Sequence, residues 1–447
     1  MKPPGYVRPA TFPARTASPS AHPHEGDGGN RALHPDTLAV GHGYDPADAW
    51  GAAKPPIVLT STYVYPSAQA AKDFHRAFFD GATEGEHGGP IPDGFIYSRL
   101  GHPNLSMVET RMAALDRAEE TAGFNSGMAA ISTLALAFLR PGDGVVHSRP
   151  IYSGSDNLLN TVMSNFGVNV EGVIDACDEG AMRAAAEAAL ARGPIALFMM
   201  ESPANPTAAI VDIALVRRIA DDIGARQGRR PLLSVDNTFL GPLLQNPLEH
   251  GADLTVTALT KYCGGHSDLL AGSVSGSKDL IGRLKALRMI LGNHMEPFTA
   301  WLMLRSLETL AVRTERACSN ASTVARFLSS HAKVAKVTYL GFLPEGSPGR
   351  KVFDRQCGSA GSTFSFTLHG GEAEAFRFLD QLKLLKLAVS LGGSETLICH
   401  PATTTHYNVP REHREASGIT DGTMRLSVGL EHPDDLIAEM SRSLDAV

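Results

Sequence analysis

An aspartate and a lysine, Asp236 and Lys261, each close a short apolar run. Leu232, Leu233 and Val235 lead into the first, and Leu254, Val256 and Leu259 into the second. Runs of this length, bounded by Pro and Gly, read as buried strands of an α/β sheet. Each charged residue then sits where a strand gives way to a loop, the edge at which open α/β folds bind ligands. Taken alone, the pair supports two readings. One is a structural ion pair capping the strands, the other a functional site.

The chemistry that a lysine and a carboxylate can share at such an edge is that of pyridoxal phosphate (PLP). The cofactor needs a lysine amine to form a Schiff base with its aldehyde. It also needs a carboxylate to keep its pyridine nitrogen protonated, so that the ring accepts electrons. The tetrad Thr260-Lys261-Tyr262-Cys263 is followed by Gly264-Gly265-His266, and small residues let a cofactor approach the backbone. The stretch resembles the lysine motif of the Cys/Met-metabolism PLP enzymes, the family of cystathionine γ-synthase, cystathionine γ-lyase and methionine γ-lyase.

Other stretches carry the same resemblance, in order, over roughly residues 34–447. FIYSRLGHPN (95–104) is similar to the family's Tyr-x-Arg-x-x-x-Pro signature. The resemblance implies that Tyr97 and Arg99 reach the cofactor phosphate of a neighbouring subunit, a task suited to the planar fork of arginine. In GFNSGMAAISTLALAFL a short turn opens an apolar helix. Free N–H groups at a helix start bind anions, and by resemblance Gly127 and Met128 supply them to the phosphate. Tyr152 matches a tyrosine that stacks on the pyridine ring and acts as acid or base. Glu201-Ser202-Pro203-Ala204-Asn205-Pro206 resembles the family's E-x-P-x-N-P turn, in which Asn205 would bond the cofactor's phenolic oxygen. Thr260 lies in the lysine motif and is counted with the cofactor residues. Arg425 matches the arginine that grips a substrate α-carboxylate, and Ser390 a residue beside that pocket. In isolation each motif reads equally as a turn, a surface arginine or a packed tyrosine.

The elements that must position these residues follow from periodicity. Apolar runs at 145–147, 168–175 and 195–202 alternate with helical patterns at 179–192 and 213–226. Such alternation argues for a mainly parallel sheet covered by helices. Helices are expected through 279–330, a strand at 362–370 and a helix at 371–382. Leu436, Met440 and Leu444 mark one face of a last amphipathic helix. The expected fold is α/β, and the resemblance implies the aminotransferase-like transferase fold (fold type I) with a smaller α+β C-terminal domain. The division read from the sequence is a Pro-rich, disordered extension at 1–33, an irregular N-terminal arm at 34–105, a PLP-binding domain at 106–298 and a small domain at 299–447. No internal repeat is present.

Composition narrows the function class. With 447 residues, 43% of them hydrophobic, the chain can bury a core of domain size or larger. A net charge of −7 argues against nucleic acid as a partner. No apolar run reaches membrane-spanning length. The five cysteines, Cys177, Cys263, Cys318, Cys357 and Cys399, show neither CxxC spacing nor a disulfide pattern. That suits a reducing cytoplasm and argues against a metal site. No GxGxxG follows a strand, which sets aside dinucleotide binding.

The resemblance implies a PLP enzyme of γ-elimination or γ-replacement on a γ-substituted amino acid, assembled as a homo-oligomer, by analogy a dimer of dimers. The alternatives are a β-eliminating C–S lyase, a methionine γ-lyase, and a non-catalytic PLP-binding protein. Four positions depart from the family pattern. His102 replaces a usual asparagine. Gly154 stands where methionine γ-lyases carry a cysteine, so the pocket is expected to lose a thiol and gain room. Val389 stands where cystathionine γ-lyases place an acidic residue. Ala258 replaces a serine near the phosphate. The last three of these departures lead us to expect a substrate other than methionine, such as an acylated homoserine.

Overall fold

The computed structural model describes residues 33–91 and 94–447, so all but Leu33 of the N-terminal extension lies outside the described residues. Leu33–Ile57 together with Asn104–Val447 make one compact unit, and Val58–Pro103 belongs to another.

The larger unit contains two sheets. The first has seven strands: β1 (Glu120–Phe124), β2 (Gly144–Ser148), β3 (Asn169–Val173), β4 (Ile195–Glu201), β5 (Leu232–Asp236), β6 (Leu254–Thr257) and β7 (Gly272–Gly276). Their spatial order is β1-β7-β6-β5-β4-β2-β3. Strands β3, β2, β4, β5 and β6 pair in parallel, while β7 runs antiparallel to both its neighbours. The mainly parallel sheet read from the sequence is therefore present.

Successive strand residues face opposite sides of this sheet. Val145 and Leu197 pack into one apolar layer with Phe124, Ile131 and Leu134. Their neighbours Val146 and Phe198 enter the other layer with Val216, Ile219 and Ile223. Both faces are covered, as helical crossovers between parallel strands require. The helix Ile213–Gln227 begins at Asp212, whose side chain accepts the Leu215 N–H, and ends at Gly228 in the left-handed region.

The second sheet has the order β10-β11-β12-β9-β8, with β8 (Val334–Thr338), β9 (Thr363–Leu368), β10 (Lys386–Leu387), β11 (Leu397–Cys399) and β12 (Thr423–Ser427). It is antiparallel except for β10 against β11. Phe364, Phe366, Met424 and Leu426 form its core with Leu436, Met440 and Leu444, all fully buried. The last helix thus presents the face its spacing indicated.

In the unit Val58–Pro103, residues 58–65 lie outside any helix or named strand, apart from a bridge between Thr62 and Tyr97. The helix Ala68–Asp80 falls within the stretch expected to be irregular. Its signals are present in the sequence: Ser67 caps it by accepting the Ala70 N–H, and Gly81 ends it at φ 70. Among the described residues no helix is long and apolar enough to cross a membrane.

Candidate active site

Four of the candidate segments leave carboxyl ends of the first sheet. β2 leads to Tyr152, β4 to Asn205, β5 ends at Asp236, and β6 runs into the turn carrying Lys261. β1 leads to the helix Gly127–Phe138. This is the edge where a parallel sheet gathers loops and helix N-termini.

Lys261 donates from Nζ to Ser390 Oγ at 2.9 Å. Its side chain is half-buried. Burial, reinforced by the nearby Arg425 guanidinium, lowers its pKa to about 8. Gly392 lies against the backbone of the lysine turn. A Cβ there would approach Tyr262 N to 2.7 Å and Lys261 C to 3.1 Å, and its φ is +75. Glycine is what allows this loop to close on the lysine. Ser390 itself has φ +92, a strained value for an L-residue. It is held by Arg425, which donates from Nη2 to its carbonyl at 2.5 Å.

Arg425 projects from β12 and is 2% exposed. Its Nη1 donates to Asn205 Oδ1 at 3.2 Å. Its Nε is buried with no acceptor among the described residues. An unpaired guanidinium N–H in such a place suits an incoming carboxylate. Asn205 follows the peptide Ser202–Pro203 and precedes Pro206, both bonds to proline being cis.

Asp236 Oδ1 accepts from Thr238 N at 2.9 Å and from Thr238 Oγ1 at 2.6 Å. Its Oδ2 has no donor among the described residues. Burial pushes its pKa up, opposed by the Thr238 hydrogen bonds. Beside it in register, at the end of β4, stands Glu201. Burial and the neighbouring Asp236 push the Glu201 pKa up, while the backbone N–H bonds from Asn205 and Tyr152 favour its ionised form. Glu201 accepts the N–H of Tyr152 at 2.6 Å and that of Asn205 at 2.7 Å. Glu201 belongs to the E-x-P-x-N-P turn in sequence, but residue type alone gives it no role there.

Ser126 caps the helix Gly127–Phe138, accepting the Ala129 N–H at 3.0 Å. The Ala130 N–H goes to Ser126 O. The N–H groups of Gly127 and Met128 have no acceptor among the described residues, leaving two donors at a helix start. A Cβ on Gly127 would meet Ala258 Cβ at 2.8 Å. Ala258 therefore packs directly under this turn. Thr260 Oγ1 donates to Ala271 O and accepts Ala271 N–H, so its hydroxyl pins the lysine turn to the residue preceding β7.

Tyr152 is 40% exposed. A Cβ on Gly154 would run into its ring at 2.6 Å and into Met128 Sδ at 2.9 Å. The room expected from losing a side chain at 154 is thus filled by the tyrosine ring and the methionine sulfur. Val389 is exposed. Tyr97 and Arg99 lie in the other compact unit, where the Arg99 guanidinium sits 5.6 Å from the Tyr97 ring centroid.

These residues fit PLP on four counts. There are two free N–H groups at a helix start, a half-buried carboxylate with an open oxygen, a partly desolvated lysine, and an arginine with a buried unpaired donor.

Comparison with known proteins agrees. A family model described as Cys/Met metabolism PLP-dependent enzyme matches residues 36–445. An L-methionine gamma-lyase of Pseudomonas putida is 38% identical over 412 residues, covering 92% of this chain and 97% of the relative. That of Fusobacterium nucleatum subsp. nucleatum is 36% identical, covering 94% and 98%. A solved structure of cystathionine gamma synthase from Xanthomonas oryzae pv. oryzae, in complex with aminoacrylate and cysteine, superposes with a TM-score of 0.82. It is 34% identical and covers 93% of this chain and 99% of that one.

Proposed function

The chain belongs to the Cys/Met-metabolism PLP-dependent enzymes, and from that membership we propose that it catalyses γ-elimination on an L-amino acid bearing a γ-thioether. Its class, PLP-dependent γ-elimination or γ-replacement, is that of its relatives. The observation that carries the reading is the convergence of Lys261, Ser390 and Arg425, with a lysine amine lowered to about 8.

PLP, when bound, supplies an aldehyde for an amine and a pyridine ring that draws electrons from the substrate. Everything else falls to the chain. The Gly127 and Met128 N–H groups hold the phosphate at the helix start, in line with the anion preference of such termini. Tyr97 and Arg99 of a neighbouring subunit complete that grip. Asp236 keeps the ring nitrogen protonated, and Asn205 addresses the phenolic oxygen. Arg425 binds the substrate carboxylate through its free Nε–H. Lys261 Nζ, poised by Ser390, would take the Cα proton, give it up to the cofactor and, neutral again, take a Cβ proton. Its lowered pKa keeps a fraction of the amine neutral near pH 7–8, as a general base needs. Tyr152 donates a proton to the departing γ-group. The open, half-exposed setting of Tyr152 is compatible with that role. Residues 58–103 serve as the arm that reaches a second protomer, in a dimer or a dimer of dimers, and the protein works in the cytoplasm.

A second reading, an acylated homoserine as substrate, rests on three altered positions: Gly154 and Ala258, which change the tyrosine's seat and the phosphate turn, and the uncharged Val389. Steady-state kinetics on methionine, cystathionine, O-acetylhomoserine and O-succinylhomoserine, with 2-oxo acid as the product assayed, separate the two. The proposal expects a thioether to give the highest kcat/KM. An ester preferred by tenfold or more overturns it in favour of the second reading.

A further inference from the structure

We propose that Glu201 is a positioning residue for this reaction, setting Tyr152 and Asn205 through the two oxygens of one buried carboxylate. The inference rests on the functional reading above, since it concerns the same site.

The geometry is specific. Glu201 is the last residue of β4 and is 4% exposed. Its Oε2 accepts the backbone N–H of Tyr152, 49 residues away at the loop after β2. Its Oε1 accepts the backbone N–H of Asn205 in the turn after β4. Its own N–H donates to Ser148 Oγ at the end of β2. One side chain thus ties together two loops that leave adjacent strands. Both loops carry residues assigned to the ring of the cofactor.

The bonds continue past Asn205. Asn205 Oδ1 accepts from Arg425, Arg425 donates to Ser390 O, and Ser390 Oγ accepts from Lys261. Every group from the tyrosine to the lysine is therefore reached by a chain of hydrogen bonds with Glu201 near one end. A buried carboxylate beside a second carboxylate is costly to keep. Both of its oxygens are engaged by backbone donors, which offsets part of that cost. A neutral amide of the same shape would turn an NH2 group toward one of the two N–H donors, and would release one of the loops.

The test is Glu201→Gln in the holoenzyme. The expected result is a fall in kcat of about 10-fold or more with KM changed less than about 3-fold, the size expected when a buried hydrogen bond is lost. The visible circular dichroism of bound PLP, which reports how the ring is seated, should change in amplitude. Affinity of the apoenzyme for PLP should weaken. If Glu201→Gln does not fold, Glu201→Asp, which retains both acceptors on a shorter arm, should fold and show the same spectral change in milder form. Parental kcat with a parental visible spectrum in the folded variant overturns the proposal. So does a loss of activity that follows a lowered melting temperature while the visible spectrum stays parental. A parent chain that stays colourless with PLP contradicts the functional reading itself. A yellow, active parent matched by its Glu201 variant contradicts only the role of Glu201.

Discussion

Lys261 Nζ and Ser390 Oγ are hydrogen-bonded at 2.9 Å although 129 residues separate them in the chain. One belongs to the turn after the first sheet's β6, the other to a loop after the second sheet's β10. Ser390 adopts φ +92, and the Arg425 bond to its carbonyl holds it there. Backbone strain of this kind is retained where surrounding contacts over-determine it, commonly at functional sites. The two sheets therefore meet at the Lys261 amine, with the strained serine as the junction.

The lowered pKa of that amine has a measurable sign. Burial first, and the Arg425 charge second, bring Lys261 to about 8. The neutral, nucleophilic amine then predominates above about pH 8, where an ordinary lysine is still protonated. Apoenzyme mixed with PLP should show a rate of Lys261 modification that rises through pH 8 and levels off by about pH 9.5. A rate still climbing at pH 10 would place the amine in the ordinary lysine range.

Asp236→Asn keeps the shape and removes the charge beside the ring nitrogen. Turnover should fall by about 100-fold or more, the scale typical of losing a preorganised electrostatic partner. The variant should still take up PLP, because the lysine and the helix start are unchanged. Turnover within threefold of the parent excludes the electron-sink role.

Much of the candidate site, as a set of residues brought to one sheet edge, is legible in the sequence. Asp236 and Lys261 stand out as candidates because buried parallel strands leave unbroken apolar runs, and a charge at the end of such a run is conspicuous. Gly127, Asn205 and Arg425 needed the motif order, since each alone is an ordinary turn or strand residue. Glu201 was not assigned a role, because what defines it is hydrogen bonding to the backbone N–H of Tyr152 and Asn205. Backbone donors have no signature in residue type. The filled space at Gly154 was missed for a similar reason: it depends on where the Tyr152 ring and Met128 sulfur come to rest. The helix Ala68–Asp80 was overlooked although its cap and stop were both present. The adjoining glycine-rich stretch from Gly81 carries the opposite, irregular signal.

A buried acid away from the site, Asp116, is expected to make stability depend on pH. Asp116 is 1% exposed, and burial pushes it up to about 7 against one opposing bond from Ser275 at 2.6 Å. Its pKa in the fold lies above the unfolded value, so the fold binds the proton more tightly. Stability linked to it is present in full below the ordinary carboxylate value and is lost as pH rises toward about 7. Asp116→Asn removes that loss. Its melting temperature should exceed the parent's by about 2 °C or more at pH 8.5 and by less at pH 5.5. An equal shift at both values would show that Asp116 is not titrating in this window.

Sharing of the site between protomers can be read by complementation. Arg99→Ala and Lys261→Ala protomers are each expected to be inactive. Mixed and reassembled in equal amounts, they should recover up to about a quarter of parental activity, because half of the dimers are mixed and each has one intact site. No recovery, together with an active monomer in sedimentation, contradicts the arm's role in trans.

The central claim is that Lys261 is the residue that bonds the cofactor. Treating the yellow holoenzyme with borohydride fixes PLP to its lysine, and peptide mapping by mass spectrometry locates the label. The account predicts a single labelled peptide spanning Thr260-Lys261-Tyr262, with no label and at least about 10³-fold lower turnover in Lys261→Ala. A stoichiometric label on any other lysine, or undiminished turnover in that variant, would contradict it.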